Sequence, residues 1–302
     1  MKQFLKKIIK YVLAFSLIVV GSVICNKIFI NAAGLLKLKN EVNTIVLGAS
    51  RTVYSVNDHM LTQTTNISAN ADALFYSYIK LRTLHSNNPN LKRIIVCLGS
   101  RNLSDEIDTR WLTSPSHLES RLPQYIHFYT NKEYYKTWEY NKASLIHGIM
   151  RSPLYTLKMI KKLVQSRNLD IRILNIGGFK VDNRNILTKE IKSLNENTEA
   201  KMYNISVLEA NNLKDIYDYC KNKNLELIFL DTPIHSALQN STHTMDAETY
   251  FNNFINENYS DIPYYDYSRM KLDDSCFNDL VHLSYKGALL FTEKLIDEGV
   301  VQ

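Results

Sequence analysis

The chain has 302 residues, 45% of them hydrophobic and 22% charged, with 9 Gly and 6 Pro. That composition excludes a disordered, collagen-like or low-complexity chain and allows one large α/β domain or two small ones. The net charge of +6 invites a nucleic-acid partner, but Lys2, Lys6, Lys7, Lys10 and Lys27 stand in an acid-free N-terminus, and the remainder holds 31 basic against 30 acidic residues.

The first predicted element is the uncharged run 11–26, between Lys10 and Lys27. With Ile8 and Ile9 before it and Ile28 to Ile30 after it, the run approaches the roughly 20 residues that span a bilayer. Residues 8–30 are read as a transmembrane anchor. A cleaved signal peptide is the rival, but Asn31-Ala32-Ala33 is a poor cleavage site, and Val23-Ile24 before Cys25 lacks the small residue of a lipoprotein signal. The lysines ahead of the run put residues 1–10 in the cytoplasm and residues 40–302 outside. The expectation is a single-pass protein of the cytoplasmic membrane with an extracytoplasmic body and no nucleic-acid partner.

The next elements alternate. TIVLGAS (44–50), RIIVCLGS (93–100), ELIFLDTP (226–233) and IPYYDYS (262–268) read as buried strands. Helical stretches at about 71–86, 205–223, 246–258 and 284–298 separate them. This pattern predicts a three-layer α/β/α domain with a parallel sheet covered on both faces. Residues 104–200 fit the alternation less well. Rich in Tyr, Trp, Asn and Lys, with helical patches near 131–165, they are read as a mostly helical insertion on the crevice side, a lid or substrate surface. The four cysteines form no CxxC and no metal-ligand spacing. A Cys220–Cys276 bridge is left open, and neither metal nor cofactor is expected.

In a parallel α/β sheet the crevice lies beyond the carboxyl ends of the strands. Two local patterns fall there. Gly48-Ala49-Ser50-Arg51 follows the first strand, where a tight turn exposes a serine hydroxyl and lets its N–H face an oxyanion. Asp279-Leu280-Val281-His282 lies near the C-terminus, where an Asp three residues before a His can orient the ring. Each pattern alone is also what a structural turn or a helix start looks like. Arg51 is a candidate anchor for an anionic group or for Asp279, with a structural ion pair as the alternative. His235, after Thr232-Pro233, is a candidate substrate contact or an ordinary loop residue.

Together, LGASRTVYSVN and FNDLVHLSYKGALLFTEKL resemble the SGNH/GDSL-type hydrolase superfamily. They look like its membrane-anchored branch, which includes proteins near the D-alanine transfer protein of teichoic-acid modification and the SGNH partners of membrane-bound O-acyltransferases. The resemblance covers nearly the whole chain after the anchor. It implies a flavodoxin-like sheet and a Ser50–His282–Asp279 triad. The pattern departs at three places. G-D-S reads G-A-S. The second block, 66–71, has no Gly, which leaves Asn70 or an Ala69 N–H as a donor. G-x-N-D becomes Gly99-Ser100-Arg101-Asn102, with Asn102 as the candidate oxyanion donor and Gly48 as a turn residue.

The implied function is an anchored serine esterase or O-acyltransferase acting on acyl groups of an envelope polysaccharide. Its expected partners are an acylated glycan or acyl donor, the membrane and a membrane-bound O-acyltransferase. The alternative is a catalytically degenerate accessory subunit that binds glycan or that acyltransferase.

Overall fold

The computed structural model describes residues 1–166, 171–182, 184, 186–196 and 203–302. The chain divides into two compact units. One comprises Lys39–Trp111 and Gly177–Gln302, the other Met1–Leu38 and Leu112–Ile176. The helices are α1 (Lys2–Ala32), α2 (Ser50–Val53), α3 (Leu74–Asn87), α4 (Pro115–Tyr125), α5 (Asn131–Tyr140), α6 (Lys142–Met150), α7 (Ser152–Gln165), α8 (Leu187–Glu196), α9 (Val207–Asn222), α10 (Ser236–Gln239), α11 (Thr242–Asn258) and α12 (Tyr285–Asp297).

The first unit is α/β. Its strands are β1 (Thr44–Leu47), β2 (Thr64–Asn66), β3 (Arg93–Cys97), β4 (Glu226–Asp231) and β5 (Tyr264–Asp266). They form one parallel sheet in the order β2-β1-β3-β4-β5, which is the flavodoxin-like order. The period of two explains why apolar runs serve as strands here. Val46, Ile95, Cys97, Ile228 and Leu230 point to one face and join Leu187 of α8 and Phe291 and Leu295 of α12 in one core cluster. The alternate residues Ile45, Ile94 and Phe229 are equally buried, on the face where α9 packs against β4 and α3. Both faces are covered, so both sets must be apolar.

Strand β2 is absent from the sequence reading because it is three residues long and polar, Thr-Thr-Asn. It is recruited to the edge by pairing with β1 rather than by its own pattern. The helix expected from residue 71 begins at Leu74, because Ala71 takes a left-handed conformation (φ 52°) that a helix cannot contain. The insertion predicted over 104–200 is divided. Residues from Leu112 to Ile176 belong to the helical unit, whereas from Gly177 the chain rejoins the α/β unit. There Gly178 N–H donates to the Ser68 carbonyl (3.0 Å), and Leu187 enters the core. Residues 167–170, 183, 185 and 197–200 of the predicted segment lie outside the described residues. All four cysteines are free, so the bridge left open between Cys220 and Cys276 does not form. Burial pushes the Cys97 and Cys220 thiols up to about 12.

The second unit is helical. Among the described residues α1 alone is long and apolar enough to cross a membrane. Its N-terminal part is exposed throughout, while Val19, Asn26 and Ile30 are buried and α7 packs against it. Thr156 Oγ1 donates to Asn26 Oδ1 at 2.9 Å, which gives a polar group in an apolar helix a partner. Gly148 on α6 lets that helix approach Leu122 of α4; a Cβ at position 148 would collide with the Leu122 side chain. Tyr155 donates its hydroxyl to the Leu174 carbonyl (3.0 Å) and stacks on His127 (centroids 4.9 Å apart).

Candidate active site

Ser50 stands where β1 gives way to α2. Gly48 and Ala49 turn the chain between them. The turn requires glycine for space, because a Cβ on Gly48 would meet the Thr52 side chain and Cys97. Gly48 therefore sets the backbone path on which Ser50 is presented.

Asp279 and His282 come from a loop that closes on itself. Asn278 N–H donates to the His282 carbonyl (3.0 Å), and Phe277 bridges Leu283. Asp279 Oδ1 accepts the N–H groups of Val281 (2.9 Å) and His282 (2.8 Å). The other oxygen, Oδ2, lies 2.7 Å from His282 Nδ1, and His282 Nε2 lies 2.8 Å from Ser50 Oγ. An ionised carboxylate only accepts, so Nδ1 is the donor and Nε2 is left to accept the serine proton. Burial works to raise the Asp279 pKa, but the hydrogen bonds from His282 and Val281 overcome it and hold the carboxyl below its usual value. The hydrogen-bonded chain Ser50–His282–Asp279 joins residues 232 positions apart, entirely within the α/β unit.

The donors are distributed differently. Asn102 Oδ1 accepts the Gly99 N–H at 3.0 Å, which fixes the amide and leaves Nδ2 without an internal partner among the described residues. Gly99 must lack a side chain because a Cβ would strike the Asp231 carboxylate. Asn70 is engaged, since its Nδ2 donates to the Tyr54 hydroxyl at 2.8 Å. The Ala69 N–H goes to the Gly48 carbonyl (3.1 Å) and is no longer a free donor. The backbone N–H groups of Ser50, Asn70 and Ala71 make no internal hydrogen bond among the described residues. Under this loop lies a buried ion pair, Lys80 Nζ to Asp72 Oδ2 at 2.6 Å, and Lys80 also donates to the Ile67 carbonyl. A pair this buried is tolerated only when its remaining hydrogen bonds are made.

Two candidates are held elsewhere. Arg51 pairs with Asp231 at 2.7 Å and donates to the Thr232 carbonyl, so it faces the end of β4. Burial pushes Asp231 up, and Arg51 pulls it back. His235 is buried. Its Nδ1 accepts the Ala237 N–H and its Nε2 lies 3.1 Å from Asp274 Oδ1. Both ring nitrogens are engaged in the fold, and the His235 backbone N–H donates to the Leu280 carbonyl, which steadies the loop carrying Asp279.

Three neighbours of the site went unread in the sequence. Tyr54 presents its ring edge-on to His282 (centroids 5.1 Å, 82°). Its position four residues after Ser50, one helical turn on, was the available signal. Arg184 Nη2 lies 3.9 Å from Asp279 Oδ2 and 2.6 Å from Asp182. Neither Asp182 nor Arg184 belongs to a periodic element, so no pattern marked them. Asp182, Asp279 and His282 bring ligand-type atoms within 4.8 Å of one another. Arg184 already supplies the cation between the two carboxylates, and His282 is turned to Ser50.

No protein-family model and no curated protein matches the chain. Among solved structures it is similar to one from Streptococcus pneumoniae provisionally described as a platelet activating factor, at 11% identity over 99% of both chains with a TM-score of 0.43. It is also similar to a GDSL-like lipase from Bacteroides thetaiotaomicron VPI-5482, at 9% identity over 91% of this chain and 96% of that one, with a TM-score of 0.41. Neither likeness reaches the level at which residues correspond, and the site stands on this chain's own geometry.

Proposed function

We propose that the protein is a serine esterase or O-acyltransferase that works through an acyl-Ser50 intermediate. The observation that carries this reading is the hydrogen-bonded chain from Ser50 Oγ through His282 to Asp279, at 2.8 and 2.7 Å. Ser50 Oγ attacks an acyl carbonyl as its proton passes to His282 Nε2. Asp279 stabilises the imidazolium. The oxyanion is held by the Ser50 N–H and Asn102 Nδ2. Collapse expels the alcohol, which takes the proton from His282. Water, or a sugar hydroxyl, then gives its proton to His282 and attacks the acyl-Ser50 ester, which frees the serine.

The apolar α1 helix and the excess of Lys2, Lys6, Lys7 and Lys10 ahead of its uncharged run over Lys27 after it support an anchored protein with its N-terminus inside and the catalytic unit outside. A tethered enzyme suits a tethered substrate, and an acylated envelope polysaccharide is the class we assign. The full chain in detergent, treated with a serine-directed fluorophosphonate and assayed with p-nitrophenyl acetate, tests the chemistry. Labelling at Ser50 and loss of both signals in Ser50→Ala are expected. An unlabelled Ser50 with turnover equal in both proteins would sink the enzymatic reading and favour the accessory one.

A further inference from the structure

Helix α7 has three faces where a helix on the surface of a soluble unit has two. Ser152, Tyr155 and Met159 are buried against the helical unit. Leu154, Leu157, Ile160 and Val164 are exposed at 58%, 63%, 48% and 83%. At 100° per residue the last three fall within about 60° of one another, well away from the buried face, with Leu154 about 60° further round. Lys158 and Lys162 are exposed on the arc between Leu154 and the buried face, while Lys161 is exposed at the stripe's edge between Leu157 and Leu154, where a long side chain can carry its ammonium outward; Lys158 and Lys161 form no ion pair among the described residues. Exposed apolar residues continue on the preceding helices, as Ile146 and Met150 on α6 and Tyr135 and Trp138 on α5. In the α/β unit, by contrast, exposed large apolar residues are scattered singly from Val181 to Ile296, which is ordinary for a protein surface.

What covers this stripe is indicated by what α7 is attached to. It packs against α1, and Thr156 Oγ1 bonds Asn26 Oδ1 in the C-terminal half of that helix. Helix α7 is thereby held against the membrane-crossing candidate, and both helices carry exposed large apolar residues. An apolar stripe beside a lysine stripe is the pattern of a helix lying in a bilayer interface, with its lysines toward anionic headgroups. We infer that α7 lies in the outer lipid–water interface beside the anchor, with Leu154, Leu157, Ile160 and Val164 in the acyl region and Lys158 and Lys161 against anionic phosphates.

Tryptophan reporters in the full chain test this. Trp111 and Trp138 are replaced by Phe, and Leu157→Trp or Lys158→Trp is introduced. Each protein is reconstituted in vesicles of phosphatidylcholine and phosphatidylglycerol, with and without brominated acyl chains. Leu157→Trp is expected to be quenched at least about twofold more strongly than Lys158→Trp, with blue-shifted emission. Leu154→Trp is a second reporter on the same stripe should Leu157→Trp disturb folding, which the helical circular dichroism signal reports. Equal quenching at the two positions, or none at either, overturns the proposal. So does a blue-shifted Leu157→Trp that bromine does not quench, because that result identifies a protein partner on the stripe.

Discussion

The two sides of Ser50 are built on opposite plans. On the acid–base side every hydrogen-bonding atom is committed. Both Asp279 oxygens and both His282 ring nitrogens have partners. On the donor side the groups are held but unspent. Asn102 is fixed through Oδ1 with Nδ2 left over, and the Asn70 and Ala71 N–H groups follow a loop that is buttressed from beneath by Lys80 and Asp72. A proton relay must be assembled before substrate arrives. An oxyanion hole must wait for the charge that develops during reaction, so unsatisfied donors are its expected resting state.

Four substitutions probe this contrast. The largest effect is expected on the closed side. Asp279→Asn keeps the size of the side chain but presents the wrong partner to Nδ1, and kcat for p-nitrophenyl acetate should fall about 10⁴-fold. A loss under tenfold would show that the relay does not use Asp279. Asn102→Ala removes one donor, and a fall in kcat of about 10²–10³ with little change in KM is expected. Asn70→Ala, whose amide is already given to Tyr54, should cost far less; equal losses at 70 and 102 would mean that the donor side is misassigned. The smallest effect is on stability. Ala71→Gly relieves a left-handed residue and should raise the unfolding free energy by about 1 kcal/mol in urea titrations. A destabilised variant would show that Ala71 packs in a way its dihedral does not reveal.

The sheet was legible because its strands are apolar runs stopped by Gly or Pro, and the Ser50–His282–Asp279 hydrogen-bonded chain because its residues stand at the end of a strand and just ahead of a helix. What escaped had no pattern of its own. Strand β2 is polar and exists by pairing with β1. Arg184 reaches Asp279 from an irregular segment. The sequence allows Arg51 to face an anion or Asp279, or to make a structural ion pair; its partner, Asp231, is the last residue of a strand 180 residues away. Long-range polar pairings of this kind leave no trace in local periodicity.

Asp279 is bound by two obligations. One oxygen orients the imidazole and the other holds the loop through two backbone N–H groups. A descendant that lost Ser50 would still need Asp279 to keep this loop folded. The aspartate should therefore persist longer than the chemistry it serves, and among relatives the residue at position 50 is the better sign of a working enzyme.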